Sequence, residues 1–418
     1  MAGHGTLRKP LGYRTGRAGI PGRSRTAAHA GVSSLALVWG AWVVLMMGAN
    51  LATPLYAVYA ERFGFSSLVL TAIFAAYALV LVPALMLFGR LSDRFGRRPV
   101  MLAGLAVACL GLILFAAAQS TAWLFGARMS QGLAVGMISG PATAALVEFD
   151  PRRAEQRPAL LAGLAQAGGS GAGPLVAGAL AQWAPLSRQL SFLVALGLTA
   201  AAAACMLRLP EAARGRQERW RIERPRVPAE IRADFARVSL TAATVWATAA
   251  LYLSIGPSYA GKLLQTQSLA LLGAIAALAL AGSCVAQIVS HRFRLPALGA
   301  QAAGLLLLAA GLVGLIVASP LHSLSVLLLG ALTAGAGHGL GVLSAQDELN
   351  AIAPTARRGE VTSAFIACIY AMVACAVVGS GLLDRWFSLS LAVASVATIL
   401  ALVATATAVW QLAQRKRR

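Results

Sequence analysis

The chain has 418 residues, a mean hydropathy of +0.73, 58% apolar residues and only 12% charged ones. A soluble domain of this length needs far more polar surface, so the composition excludes an ordinary globular protein and indicates a membrane protein. The formal net charge of +21 would suggest nucleic acid as the partner of a soluble protein. Here the basic residues lie almost wholly in short connectors between apolar blocks, which argues against a nucleic-acid partner and for orientation in a bilayer.

Twelve apolar blocks follow one another along the chain, each long enough for a helix to cross about 30 Å of hydrocarbon. They predict helices at 34–59, 66–88, 99–118, 121–147, 158–183, 189–207, 238–260, 267–289, 297–318, 322–345, 360–383 and 388–411. Short alternating strands, which would indicate a closed barrel, are not seen in this pattern. The expected fold class is therefore an all-α membrane protein with twelve transmembrane helices.

Charge divides the chain into two halves around a polar segment. We expect a disordered basic tail at 1–32, six-helix bundles at 33–208 and 237–412, a cytoplasmic linker at 209–236 and a basic tail at 413–418. The two bundles are equal in length at 176 residues, which predicts repeats related by a pseudo-two-fold axis. Tail 1–32 carries no acid and no cleavage-like site before the first block, so a removed signal peptide is not expected.

The basic residues also predict the orientation. With the N-terminus inside, about 30 of the 35 Lys and Arg fall in the tails and in alternate connectors on one face. The positive-inside rule assigns this face to the cytoplasm, so both termini are expected there, in the cell inner membrane. The bias never inverts along the chain, as a miscounted helix would make it do.

The connector after the second block carries a recognisable motif. Residues Gly89 to Arg98 read GRLSDRFGRR, and this is similar to the signature loop of the major facilitator superfamily in sequence and in place. The resemblance implies a transporter in which this cluster locks the outward-open state by tying the halves together at the cytoplasmic face. The residues expected to form the latch are Gly89, Asp93, Arg94, Gly96, Arg97, Arg98 and Glu148.

The residue types of this connector predict how the latch is built. The two glycines permit a tight turn close to a neighbouring helix, and Asp93 is placed to pair with adjacent arginines near a helix N-terminus. Glu148, at the end of the fourth block, is a partner for Arg94 or Arg97. The corresponding connector of the second half, 290–296, has lost the glycines and the acid, so the latch is expected in the first half alone.

Two further motifs resemble those of the same family. Arg128, Gln131 and Gly132 in the fourth block match its R-x-x-Q-G pattern, in which the arginine is tied to proton coupling. A cation inside a membrane helix faces a wet cavity or a partner, although a snorkelling side chain is the alternative. In the fifth block Gly169, Gly173, Pro174 and Gly178 resemble the motif of exporters that exchange substrate against protons, with Ala177 replacing one glycine. A glycine-rich packing seam explains the same residues.

Other polar side chains within spans are candidates for the wall of a cavity. They are Asn50, Gln131, Gln166, Tyr252, His338 and Tyr370, together with Arg128. His338 either carries a proton or is a neutral histidine bonded to a neighbouring helix. Trp246 is expected to pack. Prolines 54 and 257 end the first and seventh blocks at equivalent positions, which predicts helices that bend there.

The leading hypothesis is an exporter of drug-like molecules or metabolites by proton antiport. An uptake permease or facilitator is the alternative, and a non-transporting membrane protein or membrane enzyme is a remote one. The blocks carry no acid near mid-span, and Asp347 and Glu348 lie shallow, which leaves the proton carrier open. We expect no catalytic residue, no metal and no cofactor, with the proton gradient as energy source, a small-molecule substrate, the lipid bilayer as environment and a monomer. The few fixed charges favour neutral or cationic amphiphiles.

Overall fold

The computed structural model describes residues 25–151, 157–210, 227–354 and 357–415. Within these ranges the chain is helical. The helices are α1 (Arg25–Asn50), α2 (Tyr56–Phe63), α3 (Ser67–Phe95), α4 (Arg97–Ala116), α5 (Thr121–Phe149), α6 (Arg157–Trp183), α7 (Leu190–Met206), α8 (Arg232–Ser254), α9 (Gly256–Leu264), α10 (Leu269–Phe293), α11 (Ala297–Leu321), α12 (Leu324–Ile352), α13 (Arg358–Trp386) and α14 (Leu389–Arg415). Most of the expected tail at 1–32 and of the linker at 209–236, and the last residues of the tail at 413–418, lie outside the described residues.

Helix bounds differ from the sequence-based ones at two domain edges. Helix α1 begins at Arg25, inside the expected tail, and α8 begins at Arg232, inside the expected linker. Both helices extend beyond their apolar blocks because polar residues continue a helix once it has left the hydrocarbon. Hydropathy marks the bilayer-spanning part of a helix and not its ends.

Two of the membrane crossings are broken near Pro54 and Pro257, where the sequence predicts bends. The first consists of α1, a short 3-10 segment at Thr53–Leu55 and α2. The seventh consists of α8 and α9, which are bent by 52° at Ile255. Proline has no N–H to donate to the carbonyl four residues earlier, so Pro54 and Pro257 each remove a helical hydrogen bond. The breaks therefore follow from the sequence.

Counting the broken pairs as single crossings, the described helices form twelve. Nine of them are long and apolar enough to cross a membrane by length and hydropathy, or ten with the bent α8–α9 pair. The other two are α7, which has 17 residues, and α6, whose glycines, Gln166 and Gln182 lower its hydropathy. Large apolar side chains such as Leu79 and Leu402, 74% and 65% exposed, cover the outside of the helical bundle, as expected of a surface that faces lipid.

The two halves repeat each other with a nearly constant offset. Helix α4 begins at Arg97 and α11 at Ala297, 200 residues later, and the other pairs follow the same spacing closely. The hydroxyl of Tyr59 donates to the carbonyl of Phe115 at 3.3 Å, and that of Tyr259 donates to the carbonyl of Leu315 at 2.9 Å. These hydrogen bonds are also 200 residues apart, and they tie the second segment of each broken crossing to α4 or α11.

The halves meet along two seams that are equivalent in this repeat, α6 against α10 and α3 against α13. At the first seam a Cβ on Gly273 would overlap the carbonyl oxygen of Pro174, and one on Gly178 would overlap that of Leu269. Small residues thus let the backbones approach closely. We call the end of the bundle that holds the connector 89–98 the basic end, and the other the opposite end.

Candidate functional site

A central cavity lies between the halves. Its empty space measures about 900 Å³, a volume that includes the open mouth. Ten lining residues come from each half. The sequence-predicted residues in its wall are Asn50, Arg128, Gln166, His338 and Tyr370, and Trp246 lines it as well.

Arg128 reaches the cavity wall from α5 and does not snorkel, since it is only 4% exposed. Its Nη1 donates to the carbonyl of Ala49 at 2.7 Å and to the side chain of Gln131 at 3.2 Å. The guanidinium carbon lies 4.4 Å from the ring centre of Phe74 and 4.8 Å from that of Tyr77. Among the described residues it forms no ion pair. The charge is held by a helix end and two aromatic rings.

Gln131 accepts a hydrogen bond from Arg128 and lies behind the cavity wall. Its side-chain amide donates to the carbonyl of Gly48 at 2.9 Å, and it borders a smaller cavity between α1, α4, α5 and α7. The expectation that it lines the central cavity is therefore wrong. Asn50 does line it, and its amide donates to Ser170 on α6 at 3.1 Å.

His338 lines the second half of the cavity from α12. Its Nδ1 lies 2.9 Å from the hydroxyl of Ser283, which accepts a hydrogen bond from Gln287 at 3.1 Å. Its Nε2 is buried without a partner among the described residues. The ring meets that of Trp246 edge-on at 5.2 Å. One imidazole nitrogen is therefore bonded to a neighbouring helix, while the other forms no hydrogen bond among the described residues.

Tyr252 does not line the central cavity. It is 3% exposed, its hydroxyl has no partner among the described residues, and it borders a side pocket shared with His338. The expectation that it lines the central cavity is therefore wrong: Ala249, Ala250 and Leu253 of α8 line that cavity, and Tyr252 lies on the neighbouring face of the same helix.

The glycines of α6 fit two different neighbours. A Cβ on Gly169 or Gly173 would overlap the backbone of α1, whereas Gly178 abuts the start of α10. Pro174 lies inside α6 and its carbonyl faces Gly273 of α10. The motif therefore sits where a helix of the first half touches the second half. It is a packing seam and part of the interface between halves at once.

At the basic end, the connector between α3 and α4 makes contacts inside the first half. Arg97 pairs with Glu148 at 2.7 Å, and Arg98 donates to the carbonyl of Leu209 at 3.3 Å, beyond α7. Gly96 has φ +98°, a conformation that L side chains rarely adopt, and forms the turn between α3 and α4. The described contacts tie α4 to α5 and to the end of α7, not to the second half.

Three residues of this cluster differ from expectation. Asp93 is exposed in the last turn of α3 and forms no ion pair among the described residues. Arg94 lies over the ring of Phe95 at 5.4 Å. Gly89 is within α3 and not in a turn, and its Cα is the atom that a Cβ on Gly140 of α5 would meet. The pairing of Asp93 with Arg94 or Arg97 is thus not observed.

The sequence reasoning missed a buried ionic cluster in the second half. Arg237 of α8, 0% exposed, binds Glu348 of α12 through both terminal nitrogens, at 3.2 and 2.5 Å. Gln301 of α11 donates to Glu348 at 2.5 Å, and Gln411 of α14 accepts from Arg237 and donates to Gln301 at 2.7 Å. Four helices are joined at one point.

The hydropathy pattern does not indicate this cluster, because both of its charged residues lie just outside the apolar blocks. Arg237 precedes the apolar block expected at 238–260, where a basic residue is interpreted as an orientation signal, and Glu348 follows the block at 322–345 and is interpreted as shallow. The Asp-x-x-Arg pattern at 234–237, placed at the start of a helix, is the available signal, since residues three apart lie on one helical face.

A comparison with protein families decides what this fold is. The sequence profile described as Major Facilitator Superfamily matches residues 38–377. The chain belongs to this superfamily. It is a multi-pass membrane protein and a transporter of small solutes, and its family points to transport and not to catalysis.

Solved structures of the superfamily share the fold. A mutant of the nucleoside transporter NupG superposes with a TM-score of 0.70 at 12% identity, covering 91% of this chain and 99% of that one. The human organic anion transporter MFSD10 (TETRAN) gives 0.65 at 18% identity, with 90% and 99% covered. A bacterial homologue of the human lysosomal transporter Spinster, inward-facing and unoccupied, gives 0.62 at 16%, with 94% and 96% covered. These identities show the fold alone. No curated protein sequence matches the chain.

Proposed function

We propose that this chain exports small organic molecules in exchange for protons, by alternating access of the central cavity. The observation that carries the proposal is the equal share of the cavity wall contributed by each half. Rocking of one half against the other then opens the same cavity to either side in turn. One chain encloses the whole cavity, so a monomer suffices.

One feature supports export, and a second is compatible with alternating access in either direction. The glycine–proline segment of α6, which resembles the motif of exporters that exchange substrate against protons, lies at the seam with α10. The Arg97–Glu148 pair keeps the basic connector bound to its own half, so the halves are free to separate at this end, as alternating access requires. The latch that the family resemblance implies is part of the same proposal: it would tie the halves together only in the outward-open state, once they have closed at this end.

The proposed orientation places the basic end in the cytoplasm, in the cell inner membrane. The basic residues support it, since about 30 of the 35 fall in segments on that side. The domain limits at 33–208 and 237–412 are retained in this proposal for the two rocking halves.

Proton coupling falls to Arg128, His338 or the buried Glu348. No carboxylate lines the cavity among the described residues, and this observation favours a second candidate function, a facilitator without proton exchange. An uptake permease shares that geometry. The two candidates differ in their dependence on the proton gradient.

The test is efflux measured in inverted membrane vesicles with a compound panel, with and without a pH gradient. Export by antiport predicts accumulation that stops when the gradient collapses, whereas facilitated transport continues. Asp93→Asn and Arg128→Ala should each abolish accumulation at unchanged protein level. Glu61→Gln and Arg62→Ala, at exposed positions of the opposite end, are the matched controls. Accumulation retained in both test variants would overturn the mechanism.

A further inference from the structure

We propose that the central cavity takes small organic monoanions, with the acidic group bound by Arg128 and an aromatic or bulky apolar body held by the surrounding rings. The inference deepens the proposed transport function and rests on it. It names the class of solute that the cavity selects.

The charges of the cavity wall favour an anion. Among the described residues, Arg128 is the one lining residue with a fixed charge, and neither Asp nor Glu is among the others. In a site of low dielectric a like charge is strongly repelled and an opposite one attracted. An organic cation is therefore disfavoured, unlike the expectation drawn from the sequence. Asp347 and Glu348, the acids that follow the tenth block, lie outside the cavity wall.

Of the three guanidinium nitrogens of Arg128, one is hydrogen-bonded and two are left for a ligand, which suits a carboxylate. Nη1 is occupied by Ala49 and Gln131, and Nη2 has no partner among the described residues. Nε is buried without a partner there as well. A buried donor left unpaired is unfavourable, and the Nε–Nη2 edge of a guanidinium matches a carboxylate in bidentate geometry. The end of α1 and Gln131 occupy Nη1, so Nε and Nη2 are the donors left for a carboxylate.

The rest of the wall suits an apolar body. Phe74 and Tyr77 flank the guanidinium, while Trp246 and Tyr370 line the cavity from the second half. Aromatic side chains offer large apolar surfaces to a ring-bearing solute. With a single cation present, a dianion would keep one charge unpaired. The geometry thus points to a monoanion.

Binding to the purified full-length protein tests the inference. Equilibrium dialysis is performed with three probes that share one ring system, namely 2-naphthoate, 2-naphthamide and 2-naphthylmethylammonium. We expect 2-naphthoate to bind about ten-fold more tightly than the amide, as one hydrogen-bonded charge contact of about 1.4 kcal/mol implies, and the ammonium more weakly still. Arg128→Gln should remove the advantage of the carboxylate, Arg128→Lys should keep part of it, and Arg62→Gln, exposed at the opposite end, should change nothing.

The relative affinities of the three probes for the unaltered protein test the anion site even if Arg128→Gln fails to fold. Equal binding of all three, or tighter binding of the ammonium, overturns the inference. Transport of the same probes into proteoliposomes separates it from the proposed function. Bound but untransported naphthoate refutes transport of this class and leaves the anion site standing. Transport of the ammonium without the naphthoate refutes the anion site and leaves transport standing.

Discussion

The carbonyl end of α1 and the aromatic rings of Phe74 and Tyr77 stabilise the charge of Arg128 inside the helical bundle. Among the described residues no carboxylate pairs with it. Helix α1 ends at Asn50 because Pro54 supplies no N–H, and its last carbonyls form the negative end of the helix dipole. An arginine at the centre of a membrane helix costs about 2.5–3.5 kcal/mol on insertion scales. A hydrogen bond to a charged group returns about 1.5–3 kcal/mol, and a desolvated cation–π contact about 2 kcal/mol. The terms are comparable, so a lone buried arginine is tolerated here.

His338 is the histidine of the second half that lines the cavity, opposite the fixed charge of Arg128, and it shares its two pockets with Tyr370 and Tyr252. If it carries the coupled proton, His338→Gln keeps a polar side chain but cannot bind a proton at neutral pH. We expect loss of gradient-driven accumulation while substrate exchange at equal pH is retained. Ser283→Ala, which removes the partner of Nδ1 and the acceptor of the Gln287 amide, should leave coupling largely intact. Coupling retained in His338→Gln would assign the proton to another group.

At the scale of helices, the Arg237–Glu348 cluster fixes one end of the second half. It joins α8, α11, α12 and α14, so these helices are expected to move as one body. Buried ion pairs contribute little net stability relative to apolar replacements, but loss of one partner leaves a buried charge uncompensated. The consequence is a testable asymmetry between single and double substitutions.

Glu348→Leu or Arg237→Met alone should lower the free energy of unfolding by about 3–5 kcal/mol. The double variant should lie close to the unaltered protein, because neither charge remains and Gln301 still pairs with Gln411. Equilibrium unfolding in mixed detergent measures both effects. Asp234→Asn is the matched control, since its carboxylate reaches the same arginine from a position 35% exposed, and such pairs contribute at most about 1 kcal/mol. A double variant as unstable as the two losses summed would contradict this account.

At the scale of the molecule, the sequence predicts what depends on local chemistry. Hydropathy gives the class of fold, Pro54 and Pro257 give the broken crossings, and the charge bias supplies the proposed orientation. Contacts between distant residues escape it. Arg237 and Glu348 are 111 residues apart. Nothing in the sequence around either residue indicates that the other one neutralises its charge. The placement of Gln131 and Tyr252 fails for the same reason, since a helical face is chosen by its neighbours.

The two ends of the molecule differ in how tightly the halves meet. Along the seam of α3 and α13, Thr71 and Ser380 near the opposite end are fully buried. Toward the basic end the same helices present partly exposed residues, among them Val82, Met86, Ser363 and Ile366. From Thr71 and Ser380 we expect a seam that is closed at the opposite end and looser at the basic end. Access to the cavity is expected from the basic side.

Cysteine labelling tests both this access and the proposed orientation. In a chain whose five cysteines are replaced, Ser363→Cys should react with a membrane-impermeant maleimide in inside-out vesicles and not in right-side-out ones, because its position lies on the loose, basic side. Ser380→Cys, the same exchange on the same helix, should stay unlabelled in both preparations, because the position is 0% exposed. Labelling of Ser363→Cys only from the right-side-out face would place the basic end outside. Labelling of Ser380→Cys as fast as Ser363→Cys would show that the opposite end is open too, and the halves would then close at neither end of this seam.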